Sequence, residues 1–461
     1  MILEVPRLVV SGLSGDAGKT LLSTGLARAW RDRGIAVAPY KKGPDFIDAA
    51  WLGEAAGRPG RNLDTFLMSQ AVIGAALGPA IGAGLVLVEG NRGLHDGMDA
   101  HGTHSTAELA KRLAAPVVMV VDATKATRTL AACVRGCAVV DPELRIAAVV
   151  LNRVANARHA ATITAAFEAL GGPPVVGVLP RMEEDPLPSR HLGLVTTAEH
   201  GGPDRAMGRA AEVVASHVDL DALLEVARSA GPAEFPGRSV PEARPERRVR
   251  IGVLRDEAFM FYYPENLEAL VDAGADVVEV SPLRANALPQ VDAVYVGGGF
   301  PETHAAELAA NTRFLDSLRT AARGGLPIYA ECGGLMYLAR ELRVDGRSYA
   351  MAGVLDVAIE QTKRPQGHGY VEGQVDAANA FFPVGTRLRG HEFHYSRIVG
   401  SPAIQSALHL DRGTGIGAGR DGFVQGAIWA SYAHLHALGA PEWALGMVAA
   451  AAERAGTRSW A

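Results

Sequence analysis

A strand-like run, a glycine-rich turn and a helix start follow one another at residues 8–20, and this order strongly constrains the fold. The apolar residues Leu8-Val9-Val10 lead into Ser11-Gly12-Leu13-Ser14-Gly15-Asp16-Ala17-Gly18-Lys19-Thr20. In such a loop, backbone N–H groups close around phosphate oxygens and the helix N-terminus adds its dipole. The spacing Gly-x5-Gly-Lys-Thr is one residue longer than the standard phosphate loop. We therefore predict a nucleotide site that uses Gly12, Gly15, Gly18, Lys19 and Thr20.

Short Val-, Leu- and Ile-rich runs alternate with amphipathic segments in the first half of the chain. We predict strands at residues 8–10, 36–38, 85–88, 117–121, 147–151 and 175–179. Such runs, separated by helices, are typical of a parallel sheet covered on both faces. The alternation restarts at residue 249, after a proline-rich, aperiodic segment at 229–248. The sequence thus predicts an α/β protein with domains at 1–228 and 249–461, joined by a linker at 229–248.

Composition and charge exclude several classes of protein. The 461 residues carry a net charge of −5 with no basic block, so we predict no nucleic-acid partner. The longest apolar runs have the length of strands, and residues 1–6 do not resemble the start of a signal peptide. Three cysteines are too few for a disulfide framework, and their spacing matches no common zinc site. We predict a cytoplasmic protein that does not bind membranes, and a homodimer stays open.

A second motif lies far from the first, where an apolar run ends at Cys332-Gly333-Gly334. Glycines after a strand permit the sharp turn of a nucleophile elbow, and a helix N-terminus there would lower the pKa of the thiol. We expect Gly298 and Gly299, at another strand end, to supply oxyanion-hole N–H groups. The alternative, a small buried core cysteine, suits Cys133 and Cys137 better.

Charged residues follow two further strand ends in the first half. Glu89 ends the apolar run 85–88, where an acid would meet Mg²⁺ at the carboxyl edge of the sheet. Asp45 and Asp48 stand beside Lys41 and Lys42, and this set has the chemistry to hold Mg²⁺ and orient phosphates or an acidic substrate. An exposed charged turn is the alternative interpretation. A nucleotide site and a thiol nucleophile in one chain suggest two coupled half-reactions, one releasing ammonia and the other using it.

Four longer motifs carry a resemblance to a known family. They are residues 42–48 (Lys-Gly-Pro-Asp-Phe-Ile-Asp), residues 57–64 (Gly-Arg-Pro-Gly-Arg-Asn-Leu-Asp), residues 89–97 around Gly93-Leu94-His95-Asp96-Gly97, and residues 190–194 (Arg-His-Leu-Gly-Leu). Together they resemble the cobyrinic acid a,c-diamide synthase family across nearly the whole chain. The resemblance implies a dethiobiotin-synthetase-like domain that uses ATP to phosphorylate the a and c acetates of a corrin precursor, which ammonia then converts to amides.

The resemblance also implies roles for individual residues. Thr20, Asp45 and Glu89 would surround Mg²⁺, and Lys42, Asp48 and Asp96 would contact the substrate or the intermediate. The C-terminal part resembles a class I glutamine amidotransferase domain, in which the first histidine of a segment such as 428–436 pairs with the nucleophile. This implies Cys332 and His434 as the catalytic pair.

The sequence departs from these families at several points. Class I triads usually have Glu two residues beyond the catalytic histidine, where this chain has His436. We therefore predict a Cys–His dyad whose orienting group the sequence does not reveal. Family members often have Tyr where Phe46 stands, and related enzymes amidate Ni-sirohydrochlorin, which also has a and c acetates. Two further hypotheses are a P-loop ATPase that switches partner binding and a ligase that uses free ammonia or bicarbonate.

Overall fold

The computed structural model describes residues 1–182, 184, 186, 187, 189, 190, 193–237, 248–400 and 404–458. Contacts divide the chain into two units, Met1–Ser239 and Val240–Ala461. Each unit is built around its own sheet, and together they confirm the predicted α/β class. Within the described ranges, no helix is both long and apolar enough to cross a bilayer.

Seven parallel strands form the central sheet of the first unit. In spatial order they are Arg61–Leu63, Val37–Lys42, Leu85–Glu89, Arg7–Gly12, Val117–Asp122, Ile146–Val154 and Val175–Pro180. The inner strands are buried along almost their whole length because helices cover both faces, which explains their continuous apolar character. The helices are Lys19–Asp32, Phe46–Ala56, Gln70–Ala76, Thr106–Arg112, Arg128–Val140, Ala157–Ala169, Pro203–His217 and Leu220–Arg228, with a 3₁₀ turn at Gly78–Ala80.

The strand order brings three chain segments together at the carboxyl edge of this sheet. Strand Leu85–Glu89 lies between Val37–Lys42 and Arg7–Gly12, with Glu89 in register with Lys41 on one side and Val10 on the other. Residues that follow these strands therefore meet at one place, although they are distant in sequence.

The start of the predicted linker belongs to the first unit. Strand Ala233–Glu234 pairs antiparallel with Ile2–Leu3, and the Phe235 side chain is buried. Arg7 is also buried, and its guanidinium donates to carbonyl oxygens that include Val5 at 2.9 Å and Gly231. The remainder of the predicted linker, at residues 238–247, lies outside the described residues, as do two residues of the 190–194 motif.

A ten-stranded mixed sheet forms the core of the second unit. In spatial order its strands are Ala275–Val280, Val249–Leu254, Ala293–Val296, Ile328–Glu331, Ile428–Ser431, Arg420–Gln425, Ser406–Arg412, Gly367–Val375, Arg387–His394 and His434–Leu435. The first five are parallel and the others antiparallel. A second sheet contains Arg347–Ala350, Ala339–Val344, Leu355–Gln361 and Ser396–Val399. The helices are Pro264–Asp272, Ala305–Ala310, Thr312–Arg323, Gly333–Leu338 and Glu442–Arg458.

Candidate active sites

The glycine-rich loop of the first unit is held in shape by a distant asparagine. Gly18 has a φ of 99°, directly before the helix that begins at Lys19. The amide of Asn152 donates to the Ala17 carbonyl at 2.9 Å, and a Cβ atom on Gly18 would lie 2.1 Å from that amide nitrogen. Only glycine therefore fits this position. The Lys19 ammonium reaches back to the Ser14 carbonyl at 3.0 Å, which places its charge over the loop.

A buried cluster of charges lies beside this loop. Glu89 is fully buried, and its Oε1 accepts hydrogen bonds from Thr20 Oγ1 and from Lys41 Nζ, both at 2.7 Å. The Lys41 ammonium also pairs with Asp48 Oδ2 at 2.6 Å. Burial lowers the pKa of Lys41, but the carboxylates of Asp48 and Glu89 outweigh that effect and raise the pKa above its usual value. Lys41 therefore stays charged and links the two acids.

The oxygen atoms of this cluster fit a magnesium ion. Glu89 Oε2 is buried and has no hydrogen-bond partner among the described residues, although its other oxygen has two. Asp45 caps the helix Phe46–Ala56 through the Asp48 N–H at 2.8 Å, and burial together with the charge of Asp48 raises the pKa of Asp45 to about 7. Among the described residues, no group of three or more His, Cys, Asp or Glu forms a complete metal cage. Mg²⁺ at nucleotide sites needs only one or two carboxylates, because phosphates and water supply the other ligands.

The structure separates Lys42 from its neighbour Lys41. Lys42 Nζ lies 3.9 Å from Asp64 Oδ2, and burial lowers the pKa of this lysine. Successive side chains on a strand point to opposite faces, so Lys41 and Lys42 meet different partners. The resemblance implies substrate contact for Lys42, but Lys41 is the lysine that contacts Glu89 and Asp48.

Asp96 shapes a loop that contacts the phosphate loop. Its Oδ2 accepts from the Gly93 N–H at 2.9 Å, and Leu94 N donates to the Gly12 carbonyl at 2.8 Å. Asp96 thus lies on a segment beside the glycine-rich turn, and its carboxylate accepts a hydrogen bond from within its own loop.

Cys332 occupies the sharp turn that the sequence indicates. It follows strand Ile328–Glu331 and precedes helix Gly333–Leu338, with φ 49° and ψ −98°. A non-glycine residue held at positive φ costs about 1–3 kcal/mol, and such strain is typical of functional sites. A Cβ atom on Gly334 would lie 2.5 Å from the Val296 carbonyl, and one on Gly333 would lie 3.1 Å from Gly299 N. The turn therefore requires glycine at position 334 and leaves little room for a side chain at position 333, whose backbone lies beside Gly299.

The pKa of the Cys332 thiol is raised, whereas the helix N-terminus alone was expected to lower it. Cys332 is only 7% exposed, and burial raises its pKa, with the charge of Glu302 acting in the same direction. The Gly333 N–H at the helix N-terminus acts in the expected direction but does not reverse this shift. A thiol with a raised pKa needs a base before it can act as a nucleophile.

His434 lies between the Gly298 backbone and a carboxylate. Its Nδ1 is 3.4 Å from Glu331 Oε2, and a Cβ atom on Gly298 would lie 2.4 Å from its Cε1 and 3.3 Å from its Nε2. Glu331, the residue directly before the nucleophile, was not assigned by the sequence analysis. The available signal was a carboxylate at the end of a buried apolar strand, which is the same signal that indicated Glu89.

The other histidines nearby have their own partners. His436 Nε2 lies 3.6 Å from Glu265 Oε2, and its ring is 4.5 Å from that of Tyr263. His391 stacks on His434 with ring centroids 4.9 Å apart, and burial lowers the pKa of His391 well below its usual value. His391 is therefore a neutral ring that supports one face of His434.

Replacing Gly298 with alanine is expected to lower the rate of glutamine hydrolysis about 100-fold, because the new methyl group displaces the His434 ring. Gly456→Ala is the matched control, since a Cβ atom there meets nothing within 4 Å. Steady-state glutaminase assays of both variants measure the effect. Equal rates for Gly298→Ala and the natural enzyme would show that His434 does not need this space.

Both units match known domain families. Residues 8–195 match the CobQ/CobB/MinD/ParA nucleotide binding domain, and residues 250–442 match the CobB/CobQ-like glutamine amidotransferase domain. The fold and these matches define a P-loop nucleotide-binding domain combined with a glutamine amidotransferase domain.

Relatives match along almost the whole chain. The cobyrinate a,c-diamide synthase of Magnetococcus marinus is 40% identical over 96% of this chain and 97% of its own length. That of Syntrophotalea carbinolica is 42% identical over 94% and 96%, and the hydrogenobyrinate a,c-diamide synthase of Streptomyces coelicolor is 41% identical over 94% of each chain. The chain belongs to the cobyrinate a,c-diamide synthase family, as its sequence motifs predict.

Proposed function

We propose that this protein is a carbon–nitrogen ligase that amidates the a and c acetate carboxylates of cobyrinic acid, using ATP and glutamine. The observation that carries the proposal is that one chain holds two sets of groups, one suited to phosphate transfer and the other to thiol chemistry. Thr20, Lys41 and Glu89 meet beside a phosphate loop, while Cys332 occupies a strained turn on the sheet that also carries His434. Curated relatives with the same two domains are named for this reaction.

The first unit would activate the carboxylate. The loop around Gly12, Gly15 and Gly18 would hold the ATP phosphates, and the Lys19 ammonium would neutralise charge on the transferred group. An oxygen of the substrate acetate attacks the γ-phosphorus, ADP leaves, and an acyl phosphate remains. Activation is necessary because a carboxylate resists attack by an amine, whereas phosphate is a good leaving group.

The groups around Glu89 would hold Mg²⁺ and position the substrate. Thr20, Glu89 and Asp45 supply the protein oxygens, and bound Mg²⁺ would neutralise charge on the phosphates during transfer. We propose Asp48 and Lys41 as the groups that set the position of the acetate or its phosphorylated form. Substrate contact by Lys42 and by Asp96 stays a prediction. Of the two lysines, Lys41 is the better placed for this role, because it pairs with Asp48 whereas Lys42 lies near Asp64.

The second unit would release ammonia from glutamine. His434 removes the Cys332 proton, the sulfur attacks the side-chain amide carbon, and the Gly298 and Gly299 N–H groups would stabilise the oxyanion. The amide nitrogen takes a proton from His434 and leaves as ammonia, and water then hydrolyses the thioester to glutamate. Ammonia attacks the acyl phosphate in the first unit, which yields the amide and free phosphate.

The organisation of the chain completes the proposal. We propose the ATP-dependent domain at 1–228 and the amidotransferase domain at 249–461. Residues 233–235 lie in the predicted linker but pack on the first unit. A cytoplasmic location fits a reaction that consumes ATP and depends on a free thiol. A homodimer stays a prediction.

A paired substrate assay tests the function. The enzyme receives ATP, Mg²⁺ and glutamine with cobyrinic acid, hydrogenobyrinic acid or Ni-sirohydrochlorin, and mass spectrometry counts the amides formed. We expect two amidations of cobyrinic acid. Hydrogenobyrinic acid tests the substrate for which the Streptomyces coelicolor relative is named. Exclusive reaction with the nickel compound would contradict the proposed substrate, and glutamine hydrolysis without any amidation would contradict the ligase activity.

A further inference from the structure

We propose that Glu331 is the positioning residue of the glutaminase site: its carboxylate orients His434 and stabilises the imidazolium that forms when Cys332 is deprotonated. The inference rests on the proposed glutaminase activity and adds a third member to its catalytic pair. It fills the role that the sequence left open, because His436 stands where class I triads usually have Glu.

The geometry places this carboxylate on the correct nitrogen of His434. Glu331 Oε2 lies 3.4 Å from Nδ1, while the Cε1–Nε2 edge of the ring faces the Gly298 backbone. This distance is within the range of an ion pair. In the proposed reaction Nδ1 carries its proton on the side of Glu331, and Nε2 is left to accept the thiol proton. An acid that selects this tautomer is the arrangement that makes a histidine an effective base in hydrolytic triads.

Glu331 is held in place by a set of hydrogen bonds that does not depend on His434. The hydroxyl of Tyr295 donates to Oε2 at 3.0 Å, and Leu435 N donates to Oε1 at 3.1 Å. The hydroxyl of Tyr329 lies 3.4 Å from Oε1. Burial raises the pKa of both tyrosines well above the usual value, so both remain neutral donors. A carboxylate with 1% exposure and three donors is well suited to a fixed orienting role.

Strand pairing explains how one short segment supplies both the nucleophile and the acid. Strand Ile328–Glu331 runs parallel to Ile428–Ser431, with Glu331 in register with Ser431, and the Cys332 N–H donates to the Ser431 carbonyl at 2.7 Å. The chain then continues from Ser431 to His434 within a few residues. Glu331 thus ends the strand that leads into the sharp turn at Cys332, while His434 lies shortly after the end of the neighbouring strand Ile428–Ser431.

Another buried acid of this unit serves a different ring. Glu265 is buried like Glu331, but it lies 3.6 Å from His436 Nε2. It belongs to helix Pro264–Asp272, whereas Glu331 belongs to the central strand that leads to the nucleophile. Glu265→Gln is therefore a matched control, since it neutralises an equally buried carboxylate beside a neighbouring histidine.

The test compares glutamine hydrolysis by full-length Glu331→Gln, Glu331→Asp and Glu265→Gln. Glu331→Gln is expected to lower kcat about 10³–10⁴-fold, the scale seen when the acid of a triad is made neutral. Glu331→Asp, which keeps the charge but shortens the reach, is expected to recover part of the rate. Glu265→Gln is expected to stay within about 10-fold of the natural enzyme.

The split between kcat and KM separates orientation from structural damage. Glu331 contacts His434, so its charge acts on the base when the thiol is deprotonated. Removing an interaction that is made only in the transition state lowers kcat and kcat/KM by the same factor. Glu331→Gln should therefore leave the KM for glutamine unchanged, whereas structural damage to the site would raise KM as well.

The outcomes distinguish this inference from the proposed function. If the natural enzyme hydrolyses glutamine and Glu331→Gln retains its kcat, the role of Glu331 is refuted while the function stands. The role is also refuted if Glu265→Gln loses as much activity as Glu331→Gln. If Glu331→Gln does not yield folded protein, Glu331→Asp provides the test. A lowered kcat in Glu331→Asp supports the positioning role, and an unchanged kcat contradicts it. No glutamine hydrolysis by the natural enzyme would refute the proposed function itself.

Discussion

Replacing Cys332 with alanine is expected to abolish glutamine-dependent amidation while the enzyme still amidates its substrate when ammonium salts are supplied. The variant removes the only sulfur at the strained turn, and alanine is no larger than cysteine, so the surrounding structure has room for it. Free ammonia then replaces the nitrogen that glutamine would have supplied. The measurement is amide formation from either nitrogen source, at a mildly alkaline pH where more ammonia is unprotonated.

The prediction that Cys133 suits a small buried core position is wrong, because Cys133 is exposed. Since it also lies in the first unit, Cys133→Ala is the control for this experiment. It is expected to retain both activities. Failure of ammonia to restore amidation in Cys332→Ala would contradict the two-site scheme, provided that the variant remains folded and binds ATP. Retained glutamine-dependent activity would show that Cys332 is not the nucleophile.

Replacing Glu89 with glutamine is expected to lower amidation about 10²–10³-fold with glutamine and with ammonia alike. The substitution keeps the size of the side chain but removes the negative charge next to Thr20 and Lys41. It also replaces one carboxylate oxygen by an amide nitrogen, so Oε2, which has no hydrogen-bond partner among the described residues, is no longer an anionic ligand. ATP turnover and the Mg²⁺ concentration needed for half-maximal rate both measure the effect. We expect the Mg²⁺ requirement to rise.

Glu54→Gln is the matched control, because it makes the same chemical change at an exposed position of the same unit. It is expected to leave both activities unchanged. If Glu89→Gln lost only the glutamine-dependent reaction, Glu89 would not belong to the carboxylate-activating site. The variants of Cys332 and Glu89 thus differ in whether added ammonia restores the reaction.

Local patterns predicted the elements that carry the chemistry. Neighbouring residues alone indicate one strand and two helix starts. The signals are the apolar run at residues 85–88, the glycine-rich turn before Lys19 and the paired glycines after Cys332. The structure has these as strand Leu85–Glu89, helix Lys19–Asp32 and helix Gly333–Leu338. Such patterns are readable because buried parallel strands are continuously apolar and tight turns demand glycine.

Contacts between distant side chains were not predictable in the same way. Lys41 and Lys42 are adjacent and chemically alike, and only the pairing of Val37–Lys42 with Leu85–Glu89 shows that Lys41 reaches Glu89. The pKa of Cys332 also depends on burial and on Glu302, neither of which can be read from the sequence around the thiol. Both outcomes depend on which faces the folded chain brings together.

The sequence by itself determined that the chain contains a phosphate loop and a cysteine elbow, because the residues that make each motif are consecutive. Tertiary structure alone decided what surrounds them. Glu331 was visible next to Cys332 in the sequence, yet His434 is about a hundred residues away. It lies beside Glu331 because strand Ile328–Glu331 pairs with the strand that precedes His434. A motif encodes its own backbone shape, whereas the environment of a side chain is set by segments that the local sequence does not contain.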